Sequence, residues 1–134
     1  MNILVNIDVD DLERAIAFYT AAFDLTVGRR MGDDFVELLG ASSPLYLLVK
    51  PAGSIPCPGG VRSYARHWTS VHMDFVVDAI EPAIARVIAA GATQEGPLED
   101  HAYGRLAFFA DPFGNGFDLL QFVGRGYDEI TEPP

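Results

Sequence analysis

Two side chains stand out for the chemistry they could support, His72 and Asp118. His72 lies in SVHMDFVV, a stretch otherwise rich in Val and Phe, and Asp118 sits between Phe117 and Leu119. An imidazole titrates near neutrality and serves as a metal ligand or general base; the plain alternative is a buried ring satisfied by one hydrogen bond. A carboxylate among apolar neighbours is costly to bury unpaired. Asp118 is therefore expected either to pair with His72 or to face a wet pocket. As a pair they would form an acid/base dyad in which the carboxylate orients the imidazole. Just upstream, Arg62, Tyr64, Arg66, His67 and Trp68 crowd together. His67 and Trp68 are candidates for the mouth of a binding pocket or for a contact between chains, against the plain reading of a solvated linker. His101 and Tyr103 fall in a loop that could form a pocket rim. Cys57, between two prolines, has no electropositive neighbour to activate its thiol, and no role is assigned to it.

These residues must be positioned by regular elements, and the spacing predicts them twice over. Residues 2–9 (NILVNIDV) read as a strand. Asp10 stands three residues before Glu13, the arrangement of a capping box, and Leu12, Ala15, Ile16, Tyr19 and Phe23 recur at helical spacing, which predicts a helix over 11–23. Three short strands follow, around 26–30, 35–39 and 45–49, separated by Gly-rich turns. The order then restarts. Residues 70–77 form a strand, Asp78 and Glu81 repeat the capping box, and Ile80, Ile84, Val87 and Ile88 line a helix ended by Gly91. Strands around 93–95, 105–110 and 116–123 complete the second unit, with DPFGNG as the last turn.

The register of this repeat can be written down. A shift of 68 places Asp10 on Asp78, Leu12 on Ile80, Glu13 on Glu81 and Ile16 on Ile84, and a shift of 72 places Leu45-Tyr46-Leu47-Leu48 on Phe117-Asp118-Leu119-Leu120. The chain is a tandem duplication of a βαβββ module. Module one covers residues 1–50, a Pro/Gly-rich linker with the basic and aromatic segment covers 51–69, module two covers 70–123, and 124–134 form a tail. One such module leaves a face of its sheet bare, so two must cooperate in one structural domain.

Composition bounds the function. The chain has 134 residues, 49% of them hydrophobic and 21% charged, which reads as globular. A formal charge of −10 argues against nucleic acid, because phosphate binding needs clustered Lys and Arg. It suits cationic partners. No apolar run approaches the roughly 18 residues of a membrane span, and the acidic N-terminus does not read as a secretory signal. With one cysteine, no intrachain disulfide can form. These features lead to the expectation of a cytoplasmic protein away from membranes.

A tandem βαβββ pair with DDLERAIAFY after its first strand and DPFGNGFDLL before its last resembles the vicinal oxygen chelate superfamily. That group contains glyoxalase I, fosfomycin-resistance enzymes, extradiol dioxygenases and bleomycin-resistance proteins. The resemblance spans residues 2–123. It implies an α+β fold in which the two modules build a curved eight-stranded mixed sheet, a cup with helices outside, and it implies a homodimer. It also implies four metal-ligand positions, one on the first and one on the last strand of each module. The repeat maps them to Leu4, Tyr46, His72 and Asp118. Leucine cannot bind a metal, so a divalent cation held by His72 and Asp118 would need a third ligand from Asn6, Asp8, Glu37, Asp74 or a loop histidine. Asn6 and Asp8 share strand parity with Leu4, as Asp74 does with His72.

Two readings follow. The first is a binding protein like the bleomycin-resistance members, taking a small aromatic or cationic molecule into the cup without a complete metal site. Its ligand contacts would be Leu4, Asn6, Tyr46, His67, Trp68 and Tyr103. The second is a divalent-metal-dependent lyase, isomerase or dioxygenase with His72 and Asp118 as its catalytic and metal-binding pair. Glyoxalase I chemistry fits less well, since Asp118 is shorter than the usual glutamate.

Overall fold

The computed structural model describes residues 1–132. Strand β1 (Val5–Val9) alternates in burial, with Ile7 and Val9 inward, and leads into helix α1 (Leu12–Phe23). The helix is capped by Asp11, whose Oδ1 accepts from the Arg14 N–H at 3.0 Å. The cap is thus one residue later than the expected Asp10, and Glu13 does not close a box but turns out to Arg30 at 2.8 Å. Strands β2 (Thr26–Arg30), β3 (Phe35–Leu39) and β4 (Leu45–Val49) occupy the expected positions. They form a four-stranded sheet in the order β1-β4-β3-β2, with β1 parallel to β4 and the remaining pairs antiparallel.

The second unit repeats this plan with changes. Its first strand, β5 (Met73–Val76), is shorter than expected and leaves His72 just before it. Helix α2 (Ile80–Ala90) has Ala79, not Asp78, at its N-cap, and no side chain of the cap residue bonds to the helix. Instead the amide oxygen of Gln121 accepts from the Ile80 N–H at 2.8 Å. Gly91, in the left-handed region at φ 119°, ends the helix as expected. Ile88 was expected on the packed face but is exposed, and the burial falls on Ile80, Ala83 and Val87. Strands β6 (Thr93–Gln94), β7 (Glu99–His101), β8 (Gly104–Ala110) and β9 (Gly116–Phe122) build the second sheet in the order β5-β9-β8-β6, with β7 also pairing β8. Strand β7 falls where the sequence predicts a loop, because Glu99-Asp100-His101 carries no strand signal. The described residues therefore hold the expected α+β architecture as a four-stranded and a five-stranded mixed sheet, with β7 added to the eight expected strands.

One apolar core joins the halves. Phe23 of α1 stacks on Phe75 of β5 with ring centroids 3.7 Å apart, and Phe18 and Phe23 meet Phe117 edge-on. The DPFGNG turn is locked by Asp111, whose carboxylate accepts from the backbone N–H groups of Phe113 and Asn115 and from the Asn115 side chain at 2.8–2.9 Å. Tyr19 of α1 donates a fourth hydrogen bond to it at 2.5 Å. Module one's helix is thus pinned to module two's last turn. Gly114 in this turn has φ +85°, and a Cβ there would run into the Ala65 carbonyl, so only glycine fits.

Candidate functional site

The parallel pairings place equivalent residues on equivalent rungs. Asn6 is opposite Tyr46 across β1 and β4, as Asp74 is opposite Asp118 across β5 and β9. The next strand adds Glu37 to the first rung and Phe108 to the second. The shifts of 68 and 72 read from the sequence therefore correspond to real structural equivalence.

On the first rung the charge is already neutralised. Strand β2 departs from regular pairing between Val27 and Arg30, and this bulge brings Arg29 against Glu37. Arg29 donates from Nε to Glu37 Oε2 at 3.0 Å and from Nη2 to Oε1 at 2.5 Å, and its backbone N–H adds a third bond. Tyr46 donates its hydroxyl to the same Oε1 at 2.9 Å. Gly28 allows this closeness, since a Cβ there would lie 2.7 Å from Glu37 Oε2. The Arg29 hydrogen bonds hold the Glu37 carboxyl down at about 2, against the upward push of desolvation. Tyr46 with Leu4, Arg29, Met31 and Phe35 lines an open cavity of 280 Å³.

The second rung is different. His72 Nε2 lies 3.3 Å from Asp74 Oδ1 and 3.5 Å from Asp118 Oδ2. One ligand atom from each of these three residues lies within 4.8 Å of the others. Asp118 is 8% exposed, and among the described residues no Arg, Lys or backbone N–H donates to it. Desolvation first, and the Asp74 charge second, push its carboxyl up to about 6, with His72 pulling the other way. At 3.5 Å the His72–Asp118 contact is longer than a good hydrogen bond, and Asp74 joins the two as a third member of the group.

The 61–69 segment is a pinned strap across the cleft, not a solvated linker. Arg62 pairs with Asp8 at 2.7 Å, the Tyr64 hydroxyl donates to the Lys50 carbonyl at 2.7 Å, and Arg66 grips Glu95 with two bonds of 2.7 and 2.8 Å. His67 meets Asn115 Oδ1 through Nε2 and the Ala65 carbonyl through Nδ1, each at 3.0 Å. Between β1 and this strap lies a cleft of 660 Å³ lined by Asn6, Asp8, Tyr64, His67, Trp68 and His72, with Tyr19 also contributing. A smaller cavity of 200 Å³, walled by Phe108, Phe117 and Asp118, shares Trp68, Thr69, His72 and Gly116 with it. The two run together at His72.

The expected site residues thus separate into three places. Asn6, His67, Trp68, His72 and Asp118 border the joined clefts, whereas Leu4 and Tyr46 border the module-one cavity. Tyr103 reaches none of these clefts. It stacks on His101 at 5.1 Å and packs near Tyr127 at 5.2 Å on the β7–β8 side. The four inherited ligand positions accordingly do not assemble around one point within the chain. Arg29, Glu37, Arg66 and Glu95 also shape the site, as two ion pairs that the sequence does not announce. Their only sequence signal was opposite charge, at separations that β-pairing alone makes meaningful.

The glyoxalase-like domain family model matches residues 4–120. None of the curated proteins matches the chain in sequence. Among solved structures, the fosfomycin resistance protein FosX from Listeria monocytogenes is similar at 17% identity, with 98% of each chain covered and a TM-score of 0.73. TioX from Micromonospora sp. ML1 shares 18% identity over 92% of this chain and 99% of its own, with a TM-score of 0.69. The hypothetical protein SA1046 from S. aureus shares 20% identity over 90% and 96%, with a TM-score of 0.68. At such identities these neighbours speak for the fold alone. The match over most of the chain, on a duplicated βαβββ frame, shows that this protein belongs to the glyoxalase-like family of the vicinal oxygen chelate superfamily.

Proposed function

We propose that this chain binds a small aromatic or cationic molecule in the cleft beneath the 61–69 strap. The observation that carries the reading is Asp118, a nearly buried carboxylate with no arginine or lysine partner among the described residues, in the Phe108- and Phe117-walled cavity that joins the cleft at His72, with Asp74 as its rung partner. Tyr64 and Trp68 offer flat apolar surface, while Asn6 and His67 offer polar contacts that fix orientation. Trp68 is the single tryptophan, so its fluorescence reports directly on the cleft. Titration with a planar aromatic cation such as ethidium is expected to give saturable quenching that weakens in Asp118→Asn. A response that never saturates would sink the reading.

A homodimer belongs with this proposal. The exposed Leu4 and the buried Tyr46 line a cavity that shares no residue with the two clefts joined at His72, and Ile3, Leu4, Trp68 and Val71 are exposed apolar groups. A second copy could set the module-one wall of one chain opposite the module-two wall of its partner. Light scattering would detect the doubled mass. Cytoplasmic residence is part of the same reading, supported by the lone cysteine; no helix among the described residues is long and apolar enough to cross a membrane.

The spacing of His72, Asp74 and Asp118 favours a second reading, a divalent-metal-dependent lyase, isomerase or dioxygenase. An ion there would supply charge to polarise substrate oxygens, with His72 and Asp118 holding it. A rise in melting temperature of chelator-treated protein on adding Zn or Mn ions, lost in His72→Ala, would favour this reading over the first.

A further inference from the structure

We propose that Asp74 is the third protein ligand of a divalent-cation site built entirely from the second sheet, together with His72 and Asp118. The inference rests on the metal-dependent reading above and adds to it a residue outside the four inherited positions. Two of those positions are lost here. Leu4 has no donor atom, and the Tyr46 hydroxyl is committed to Glu37 and Arg29 in a separate cavity. Asp74 repairs the loss by strand geometry. It lies two residues beyond His72 and is the direct rung partner of Asp118.

Two of the three ligand-atom separations match a single ion. Ligand atoms about 2.1 Å from a tetrahedral metal stand about 3.4 Å from each other, and His72 Nε2 lies 3.3 and 3.5 Å from the two carboxylate oxygens. The electrostatics point the same way. Three other carboxylates around the cavities are each paired with arginine: Glu37 with Arg29, Asp8 with Arg62, and Glu95 with Arg66. Asp74 and Asp118 are partners on one rung, and among the described residues His72 is the one basic side chain within 4 Å of either. A cation at that point would relieve the repulsion and replace the missing arginine. One imidazole and two carboxylates suit Mn, Fe(II), Co, Ni or Zn ions better than the softer, thiolate-seeking ones. His72 lines both clefts and Asp118 the smaller one, while Asp74 borders the neighbouring cavity beside Phe75 and Arg86.

The test is Mn(II) binding to the chelator-treated full chain, followed by calorimetry and by the loss of the free-ion electron paramagnetic resonance signal. One ion per chain is expected. Asp74→Asn should weaken binding at least tenfold, in step with His72→Ala and Asp118→Asn, whereas Tyr46→Phe should leave it unchanged. Asp74→Ser carries the same expectation if the asparagine variant misfolds, as judged by its metal-free melting curve. Wild-type binding that Asp74→Asn leaves intact but His72→Ala abolishes would overturn the role of Asp74 and keep the metal-dependent reading. No binding of Mn, Ni or Zn ions by the wild-type chain would overturn both.

Discussion

Across β1, β4 and β3 the first sheet aligns Asn6, Tyr46 and Glu37; across β5, β9 and β8 the second aligns Asp74, Asp118 and Phe108. Each rung holds one nearly buried carboxylate, and the two are in opposite states. Glu37 is bonded by Arg29 and Tyr46, and its carboxyl is held at about 2. Asp118 meets desolvation and the charge of Asp74, and its carboxyl is pushed up to about 6. The cause is local. A bulge at Gly28 and Arg29 delivers a guanidinium to the first rung, while the corresponding strand β6 stops at Gln94 and the next residue, Glu95, is occupied with Arg66. A duplicated backbone can thus keep one carboxylate as structure and leave its counterpart open to a ligand.

The largest expected effect comes from separating the halves that this comparison sets side by side. Phe23→Ala removes the ring stacked on Phe75 and should cost about 3 kcal/mol of unfolding free energy, read from the urea midpoint. A loss under about 1 kcal/mol would mean that other contacts hold the modules together. Tyr19→Phe is next. It deletes the hydroxyl donated to Asp111, a bond that module two does not return, since Val87 stands at the equivalent position of α2. About 2 kcal/mol should be lost, as for a buried hydrogen bond to a charged acceptor.

Asp118→Asn sharpens the comparison through pH. A carboxyl raised from about 4 in the unfolded chain takes up a proton on folding, so stability is full below about 4 and falls as pH rises through about 6. In metal-free protein at pH 7.5 the asparagine variant should be more stable by on the order of 1–2 kcal/mol, with the gain closing by about pH 4. A gain that is flat with pH would argue against an unneutralised charge. Arg29→Ala should act in the opposite sense and more weakly, because the Arg29 side chain is 71% exposed and its charge is screened. The lowered Glu37 carboxyl stabilises the fold above its ordinary range and loses that contribution as pH falls through about 2. Without Arg29 the melting temperature should drop by several degrees at pH 7, with the drop shrinking in acid.

Much of the frame was legible because it is local. The three later strands of module one fall where apolar runs between Gly turns place them, and Gly91 stops α2 as a left-handed cap. The helix starts were less so. Asp10 and Asp11 offer the same chemistry one residue apart, and α2 draws its cap from Gln121, 41 residues away. Of the site, the repeat placed His72 and Asp118 beside each other, and strand parity nominated Asp74. Tyr103 lies away from the clefts because its loop is the tight turn between β7 and β8, where its ring packs between His101 and Tyr127. The repeat sets Leu4 and Tyr46 in one cup with His72, yet they line a separate cavity, since the two sheets share no ladder.

The sequence by itself determined the order of elements, the duplication and which residues share a strand face, because period, turn chemistry and repeat register act over a few neighbouring residues. The state of each charge was decided only by tertiary structure. Arg66 finds Glu95 at a separation of 29 residues and Arg62 finds Asp8 at 54, while Asp118 finds no arginine among the described residues. Coulomb energy and desolvation depend on distances through space, and those distances exist only once the chain has folded.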